Sequence, residues 1–527
     1  PEESRVSRVS ILSEGADRDA PLDPWVCRHT LTLPEPSLAD ASGDLERLQR
    51  AWRAARSCEM PPPSLGALQD LPHAARAGDG RVTLIVADAG APSARVLRIV
   101  PVGAATRLLG IAFDIGTTTV VGYLVDLDTG ERLAVSSQLN PQTRYGDDVI
   151  SRIDHAGRTP DGLAALQREV IGALNAIINA TAREAGVDAG DIMAVTTVGN
   201  TTMMHLLLAV SPAAMAQAPY VPAITAAVPL SAATLGLATH PEARVWALPS
   251  IAGWVGADTV GMLLATGAHR ERELTLAIDI GTNGEMAMGS RERMVTCSTS
   301  AGPAFEGAHL SCGMRAADGA IDRVRIDGEV HLHTIGESAP RGVCGSGLVD
   351  LVAEMLRSGV LDATGMMQPA DALAAGGQPA LAARVSQNGR QRSFALATHE
   401  EGAGGRPVLV SQRDVRELQL AKGAIRAGIE ILMRELGISA EDVRIVYLAG
   451  AFGNYIAPES ALTIGLMPRF PHARIVPVGN AAGSGARMAL VSRAALAEAT
   501  RIAERVEYLE LSGRPDFQDQ FAASMVF

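Results

Sequence analysis

Two short runs in this 527-residue chain carry the residue types that phosphate chemistry needs. One is Asp114-Ile115-Gly116-Thr117, followed by Thr118 and Thr119; the other is Asp279-Ile280-Gly281-Thr282, followed by Asn283. In each, an apolar stretch ends on the acid and a glycine opens a turn. Glycine lets the backbone approach a phosphate without a Cβ in the way, and consecutive N–H groups and Thr hydroxyls supply donors to its oxygens. A carboxylate beside phosphates is repelled unless a cation lies between them, so Asp114 and Asp279 are expected to hold Mg²⁺ through water. The same two acids are the catalytic candidates, since Asp can orient an attacking water. In-line phosphoryl transfer nevertheless asks mainly for placement and charge neutralisation. Either turn alone could be a plain hairpin turn with no ligand; the recurrence with the same flanking strands argues for a shared ATP site.

Further candidates lie downstream. Gly450-Ala451-Phe452-Gly453-Asn454 is a third glycine-rich turn, in which Gly450 and Phe452 suit a backbone platform for ribose and adenine. Ala451 and Asn454 belong to the same candidate set, as does Asn480 in the run Gly479-Asn480-Ala481-Ala482-Gly483-Ser484-Gly485. Gly345-Ser346-Gly347 opens a helix, where it could bind phosphate or merely pack closely, and Gly483-Ser484-Gly485 has the same two readings. Lys422 is the single lysine among 46 basic residues. Compositional drift toward Arg explains the depletion, and a position that resisted it could need a compact ammonium rather than a planar fork. Asp258, in Gly256-Ala257-Asp258, could be a base beside a γ-phosphate or an ordinary helix cap. His205, His309 and His472 stand without a second ligand at metal spacing and read as structural. The stretch 297–306 is either a plain surface loop or a contact loop. No Walker-type glycine loop ending in Gly-Lys-Ser or Gly-Lys-Thr occurs, which excludes a P-loop enzyme.

The elements that must position these residues follow from periodicity. Residues 1–36 read as an extended, polar lead-in broken by prolines. A short amphipathic helix with Leu45, Leu48, Trp52 and Ala55 on one face follows, ended by prolines 61–63. Residues 82–87 and 95–100 read as strands around a turn at 88–92. Residues 108–114 and 120–127 then form a strand–turn–strand unit, residues 163–178 a packed helix, and 192–198 a strand running into Gly199-Asn200-Thr201-Thr202. The pattern recurs from residue 274. A domain-sized repeat of one motif implies two similar lobes. Ser411 with Asp414 reads as a capping box for a long helix that Gly437 stops, and residues 362–407 read as an exposed excursion. The expected organisation is a linker (1–36), a small α/β middle domain (37–105), a first ATPase lobe (106–271) and a second (272–527).

Composition narrows the class. The formal charge is −12 and only 3% of residues are aromatic, which argues against a nucleic-acid surface with stacking rings and a basic stripe. Cys27, Cys58, Cys297, Cys312 and Cys344 match no zinc or iron–sulfur spacing and suit free thiols in a reducing cytosol. No stretch approaches the ~20 apolar residues of a membrane span, so neither a membrane nor a nucleic-acid partner is expected. Because the first residue is Pro1, more sequence is expected upstream.

Taken together, several motifs resemble those of the ATP-dependent reductive activators of corrinoid proteins. They are residues 114–119 and 279–285, Gly199-Asn200-Thr201-Thr202-Met203, residues 301–307, Cys344-Gly345-Ser346-Gly347-Leu348, residues 417–422 and residues 448–454. That group lies within the acetate and sugar kinase, Hsp70 and actin superfamily, and the resemblance covers nearly the whole chain. It implies an α/β fold of two actin-like, RNase H-like lobes with a nucleotide cleft between them, preceded by a linker and a small middle domain. It also implies a function: supporting one-electron reduction of inactive Co(II) to Co(I) on a corrinoid protein, with hinge closure on ATP as a source of conformational change. The family's electron port is a ferredoxin-type [2Fe–2S] domain at the amino end, expected in the full-length protein rather than in these residues, and members are dimers. A small-molecule kinase and a nucleotide-switched binding module are the alternatives.

Overall fold

The structure, a computed structural model, describes residues 20–87, 94–104, 106–281, 283–307, 310–450 and 456–527. The described residues form two compact units, one within 20–265 and 482–504 and the other within 266–481 and 505–527. They are called here the amino-terminal and carboxy-terminal units.

The amino-terminal unit begins with a three-stranded antiparallel sheet of β1 (Val26–Thr32), β2 (Arg81–Ala87) and β3 (Arg95–Pro101). The expected helix forms as Asp44–Arg56 and buries Leu48 and Trp52 against Leu31, Leu84 and Ile99. It stops before the prolines, where Ser57 takes a left-handed φ of 55°. A second helix, Leu65–Ala77, was not foreseen; Ser64 caps it by accepting from Ala67 N. The lead-in differs from expectation as well. Its segment Val26–Thr32 is a paired strand; the buried Val26 and Leu31 are an odd number of residues apart and so lie on opposite faces, leaving no alternation to read. The expected turn at 88–92 lies outside the described residues.

A six-stranded sheet follows, built from β4 (Leu109–Ile115), β5 (Thr119–Asp126), β6 (Arg132–Leu139), β7 (Ile192–Gly199), β8 (Val228–Ser231) and β9 (Arg244–Ala247). Its order is β6-β5-β4-β7-β9-β8. β4 to β6 form an antiparallel meander, and β7 and β9 run parallel to β4 through β7. β4 is apolar along its length because both faces are covered. The helix Gly162–Ala185 brings Ile177 against Gly122 on one face, and the helix Ala481–Val491 brings Leu490 against Gly110 on the other.

The carboxy-terminal unit repeats this plan. Its main strands are β10 (Leu274–Ile280), β11 (Gly284–Gly289) and β12 (Met294–Thr299). Later in the chain come two small sheets, β13 (Ala320–Ile326), β14 (Val330–Thr334) and β15 (Gly342–Val343), then β16 (Val385–Asn388), β17 (Gln391–Ala397) and β18 (Val408–Ser411). β19 (Val443–Ala449), β20 (Arg474–Gly479) and β21 (Glu507–Tyr508) complete the large sheet in the order β20-β19-β10-β11-β12-β21. Again an antiparallel meander is extended by two parallel strands beyond its first member. The four-residue repeat in the sequence therefore marks a duplicated sheet. The long helix Gln412–Leu436 starts at the expected capping box, with Asp414 Oδ2 accepting from Ser411 N at 2.7 Å, and ends at Gly437 with φ 67°.

Two expectations change here. Residues 362–407 are exposed along much of their length, as expected, but Met367, Leu373, Leu381, Phe394 and Leu396 anchor them in the unit's core. Those five apolar residues are spread through Ala, Gly and Gln, so no periodic stripe announced them. The stretch 297–306 is more than a surface loop: Cys297, Ala301, Ala304 and Phe305 lie in that core, while Ser300 is exposed.

Candidate nucleotide-binding site

In the amino-terminal unit the β4–β5 turn is closed by Gly116 N donating to Thr119 O at 2.9 Å. A Cβ on Gly116 would sit 2.7 Å from that same Thr119 oxygen, so the close approach requires glycine. Three consecutive carbonyls of the turn are held. Asn140 Nδ2 donates to Gly116 O at 2.9 Å, Arg152 Nη2 to Thr117 O at 2.6 Å, and Asn140 N to Thr118 O at 2.8 Å. A trans peptide points its N–H opposite to its C=O, so each held carbonyl fixes the direction of the next residue's N–H. N–H groups fixed in a glycine-containing turn have the donor chemistry that fits phosphate oxygens.

Neighbouring elements lock the turn further. Asn200 Nδ2 donates to Thr117 Oγ1 at 2.9 Å, while its Oδ1 caps the helix Thr201–Leu207 by accepting from Met203 N at 2.9 Å. Gly199 lies beside Ile115, whose carbonyl oxygen would be 2.6 Å from an added Cβ. Gly256 is packed on Asn200 so closely that a Cβ would stand 2.4 Å from Asn200 Cα. Two residues on, Asp258 sits in the first turn of the helix Ala257–Thr266, and burial pushes its carboxyl up to about 6. Asp114 ends β4 half-buried, on the same sheet face as Gly110.

The carboxy-terminal unit holds Asp279 at the equivalent strand end, paired across β11 with the buried Glu285 and across β19 with Ala449. Gly281 N donates to Asn283 O at 2.9 Å to close the turn. Gly450 follows β19 with φ 81°, and its position brings Asp279 Oδ1 to 2.3 Å from where a Cβ would be. Asp279 and Gly450, two of the sequence candidates, are thus in direct contact. Thr282, Ala451, Phe452 and Asn454 lie outside the described residues, as does His309. Asn480 is half-buried between Gly479, with φ 61°, and the helix Ala481–Val491.

Other candidates sit in more structural surroundings. Gly347 approaches Ile321 so closely that a Cβ would be 2.1 Å from its carbonyl oxygen; Gly345 and Ser346 are buried, and Ser346 Oγ lies 3.3 Å from Cys344 Sγ. Gly483 and Gly485 pack on Tyr123 and on the Gly261 carbonyl, respectively. For Gly347, Gly483 and Gly485 the close-packing role is the one seen. The Lys422 ammonium is 1% exposed, donates to Val526 O and stands 5.0 Å from the Phe527 ring centroid. Burial, with Arg426 adding repulsion, draws its pKa down to about 8. His205 is buried and satisfied: Nδ1 bonds Thr201 O at 2.7 Å and Nε2 accepts from Ala223 N at 3.1 Å. None of the five cysteines forms a disulfide.

Sequence reasoning did not select Asn140, Arg152 or Asn200 as site residues. Asn140 before Pro141 and Asn200 before the helix carry a cap signal that could have found them. Arg152, on the helix Val149–Arg158, has no local signal, since its contact with the turn exists only in the fold. Among the described residues, no helix is long and apolar enough to cross a membrane.

Comparison with known proteins supplies the family. Residues 273–527 match the C-terminal, ASKHA domain of RACo, residues 109–271 the RACo middle region, and residues 15–104 the RACo linker region. The chain is 35% identical over 523 residues to the corrinoid activation enzyme RamQ of Eubacterium limosum, covering 98% of this chain and 86% of that one. It is 31% identical over 259 residues to the [Co(II) methylated amine-specific corrinoid protein] reductase of Methanosarcina barkeri, covering 49% of this chain and 46% of that one. The solved structure of a reductive activator for corrinoid, iron–sulfur protein superposes with a TM-score of 0.86 at 37% identity, covering 97% of this chain and 81% of that one. With duplicated sheets, two Asp-ended turns and similarity along almost its whole length, the chain belongs to the RACo family of reductive activators and carries its ASKHA domain.

Proposed function

We propose that this protein is an ATP-dependent enzyme that reductively activates a corrinoid protein, supporting return of inactive Co(II) to Co(I). The observation that carries the nucleotide part is the amino-terminal turn, whose three consecutive carbonyls, of Gly116, Thr117 and Thr118, are each restrained by a hydrogen bond. Family membership carries the corrinoid part.

In this reading Gly116, Thr117, Thr118 and Thr119 donate to phosphate oxygens, and Gly281, Thr282 and Asn283 do so from the second turn. Gly450, Ala451, Phe452 and Asn454 support the nucleoside, with Asn480 beside them. Asp114 and Asp279 bind Mg²⁺ through water and orient the attacking water. Bound Mg²⁺ would neutralise charge developing on the phosphates. Gly345, Ser346 and Lys422 belong to the outer part of the same proposal. The electron reaching cobalt comes from a [2Fe–2S] domain, one cluster electron being lost for each Co(II) reduced. A homodimer, a cytoplasmic location and the four-part division at residues 36, 105 and 271 complete the reading.

The nucleotide part is tested by calorimetric titration of MgATP into the protein and into its Asp114→Asn and Asp279→Asn variants. Saturable MgATP binding, with Mg²⁺ dependence lost in both variants, is expected. No binding to the unaltered protein, or full Mg²⁺ dependence in both variants, would overturn the assignment.

A further inference from the structure

Arg152 is one of the largest fully buried side chains in the molecule, with none of its residue surface exposed. A guanidinium stays charged wherever it is placed and is costly to desolvate, so a buried one needs a reason beyond filling space. Its fork reaches four groups. Nη2 donates to Thr117 O at 2.6 Å, Nε to Gly146 O at 2.9 Å, and Nη1 lies 3.3 Å from both Gln142 Oε1 and Met203 Sδ. Met203 is held by Asn200, which also donates to the Thr117 hydroxyl. Gln142 Oε1 receives Asn140 Nδ2, the group that holds Gly116 O. The guanidinium thus links Asn140, Gln142, Met203 and Asn200 to the turn, and the shortest of these bonds is to the central carbonyl.

We propose that Arg152 is the positioning residue of the phosphate turn: it fixes the Thr117–Thr118 peptide so that its N–H faces the ligand, and it places a positive charge directly behind that peptide. A bound polyphosphate would then meet an aligned N–H whose dipole is reinforced by a cation on the far side of the same peptide. Because the charge acts on phosphate and not on the nucleoside, its influence should scale with phosphate number. Lysine could restore the charge but not the four-way fork, and glutamine could restore one neutral donor but not the charge.

This inference rests on the nucleotide reading above, and the experiment separates the two. Affinities for MgATP, MgADP and adenosine are measured by competition calorimetry on the full chain, alongside Arg152→Gln and Arg152→Lys, with melting temperatures recorded. Arg152→Gln should weaken MgATP binding about tenfold or more, the range for losing a charge-assisted hydrogen bond, MgADP less, and adenosine not at all. Arg152→Lys should recover part of the MgATP loss. Unchanged MgATP affinity in Arg152→Gln, or an equal loss for MgATP and adenosine, would overturn the proposal and leave a purely structural arginine. If Arg152→Gln does not fold, the decision falls to Arg152→Lys, whose MgATP-to-adenosine affinity ratio must then fall below that of the unaltered protein. Failure of the unaltered protein to bind MgATP would instead remove the nucleotide reading itself.

Discussion

Replacing Gly450 by Ala perturbs the carboxy-terminal turn through one added carbon. Two effects are expected. Gly450 has φ 81°, a conformation that costs an L-residue about 1–2 kcal/mol. The new Cβ would also stand 2.3 Å from Asp279 Oδ1, whereas non-bonded heavy atoms prefer about 3.5 Å, so the carboxylate must move by roughly 1 Å. A misplacement of that size costs about 100-fold in rate, equivalent to about 2.7 kcal/mol. Gly437 supplies the control: its φ is 67° in the same unit, but nothing lies within 4 Å of its added Cβ. Gly437→Ala should therefore lose comparable stability with little change in turnover, whereas Gly450→Ala should lose about two orders of magnitude in kcat for ATP hydrolysis. The assay is steady-state phosphate release with denaturant unfolding run on both variants. Equal turnover losses in the two variants, or normal turnover in Gly450→Ala, would refute the placement of Asp279 in the chemistry.

Two pH effects follow from buried basic groups. His205 is held neutral by burial below its ordinary pKa of 6.5, so its contribution to stability is present above about pH 6.5 and is lost as pH falls through the folded-state value. His205→Gln should flatten that acid-side slope, by up to about 1.4 kcal/mol per pH unit, in urea unfolding measured across the range. Lys422 falls from 10.5 to about 8 in the fold, so its unfolded form binds more protons between those values. The stability of the protein relative to Lys422→Met should therefore rise with pH from about 8 to 10.5, again at up to about 1.4 kcal/mol per unit; a falling difference would contradict the burial of the ammonium.

The duplicated architecture was legible because Asp-Ile-Gly-Thr recurs with the same apolar strand before it and the same return strand after it. Ser411, Asp414 and Gly437 were legible for a related reason: caps are local chemistry, decided within four residues. What escaped was decided by distant neighbours. Arg152 touches Thr117, 35 residues earlier in the chain, and no spacing rule connects a helix residue to a turn that far away. The anchoring of residues 362–407 in the core depends on a few apolar side chains diluted by Ala and Gly, which leave no periodic stripe. Glycine pairs were ambiguous because phosphate binding and close packing demand the same absent Cβ. Gly347, Gly483 and Gly485 take the packing role, while Gly116 and Gly450 lie beside the Asp-ended turns.

Nucleotide use by this chain is proposed to be coupled to a corrinoid partner. The direct measurement is ATP hydrolysis with and without a corrinoid protein loaded with Co(II), while the cobalt absorption spectrum is followed. A change in turnover on adding the partner, or an ATP-dependent change in the cobalt spectrum of the mixture, is predicted. Hydrolysis indifferent to every corrinoid protein tried, together with phosphorylation of a small metabolite, would contradict the account and make the chain a kinase.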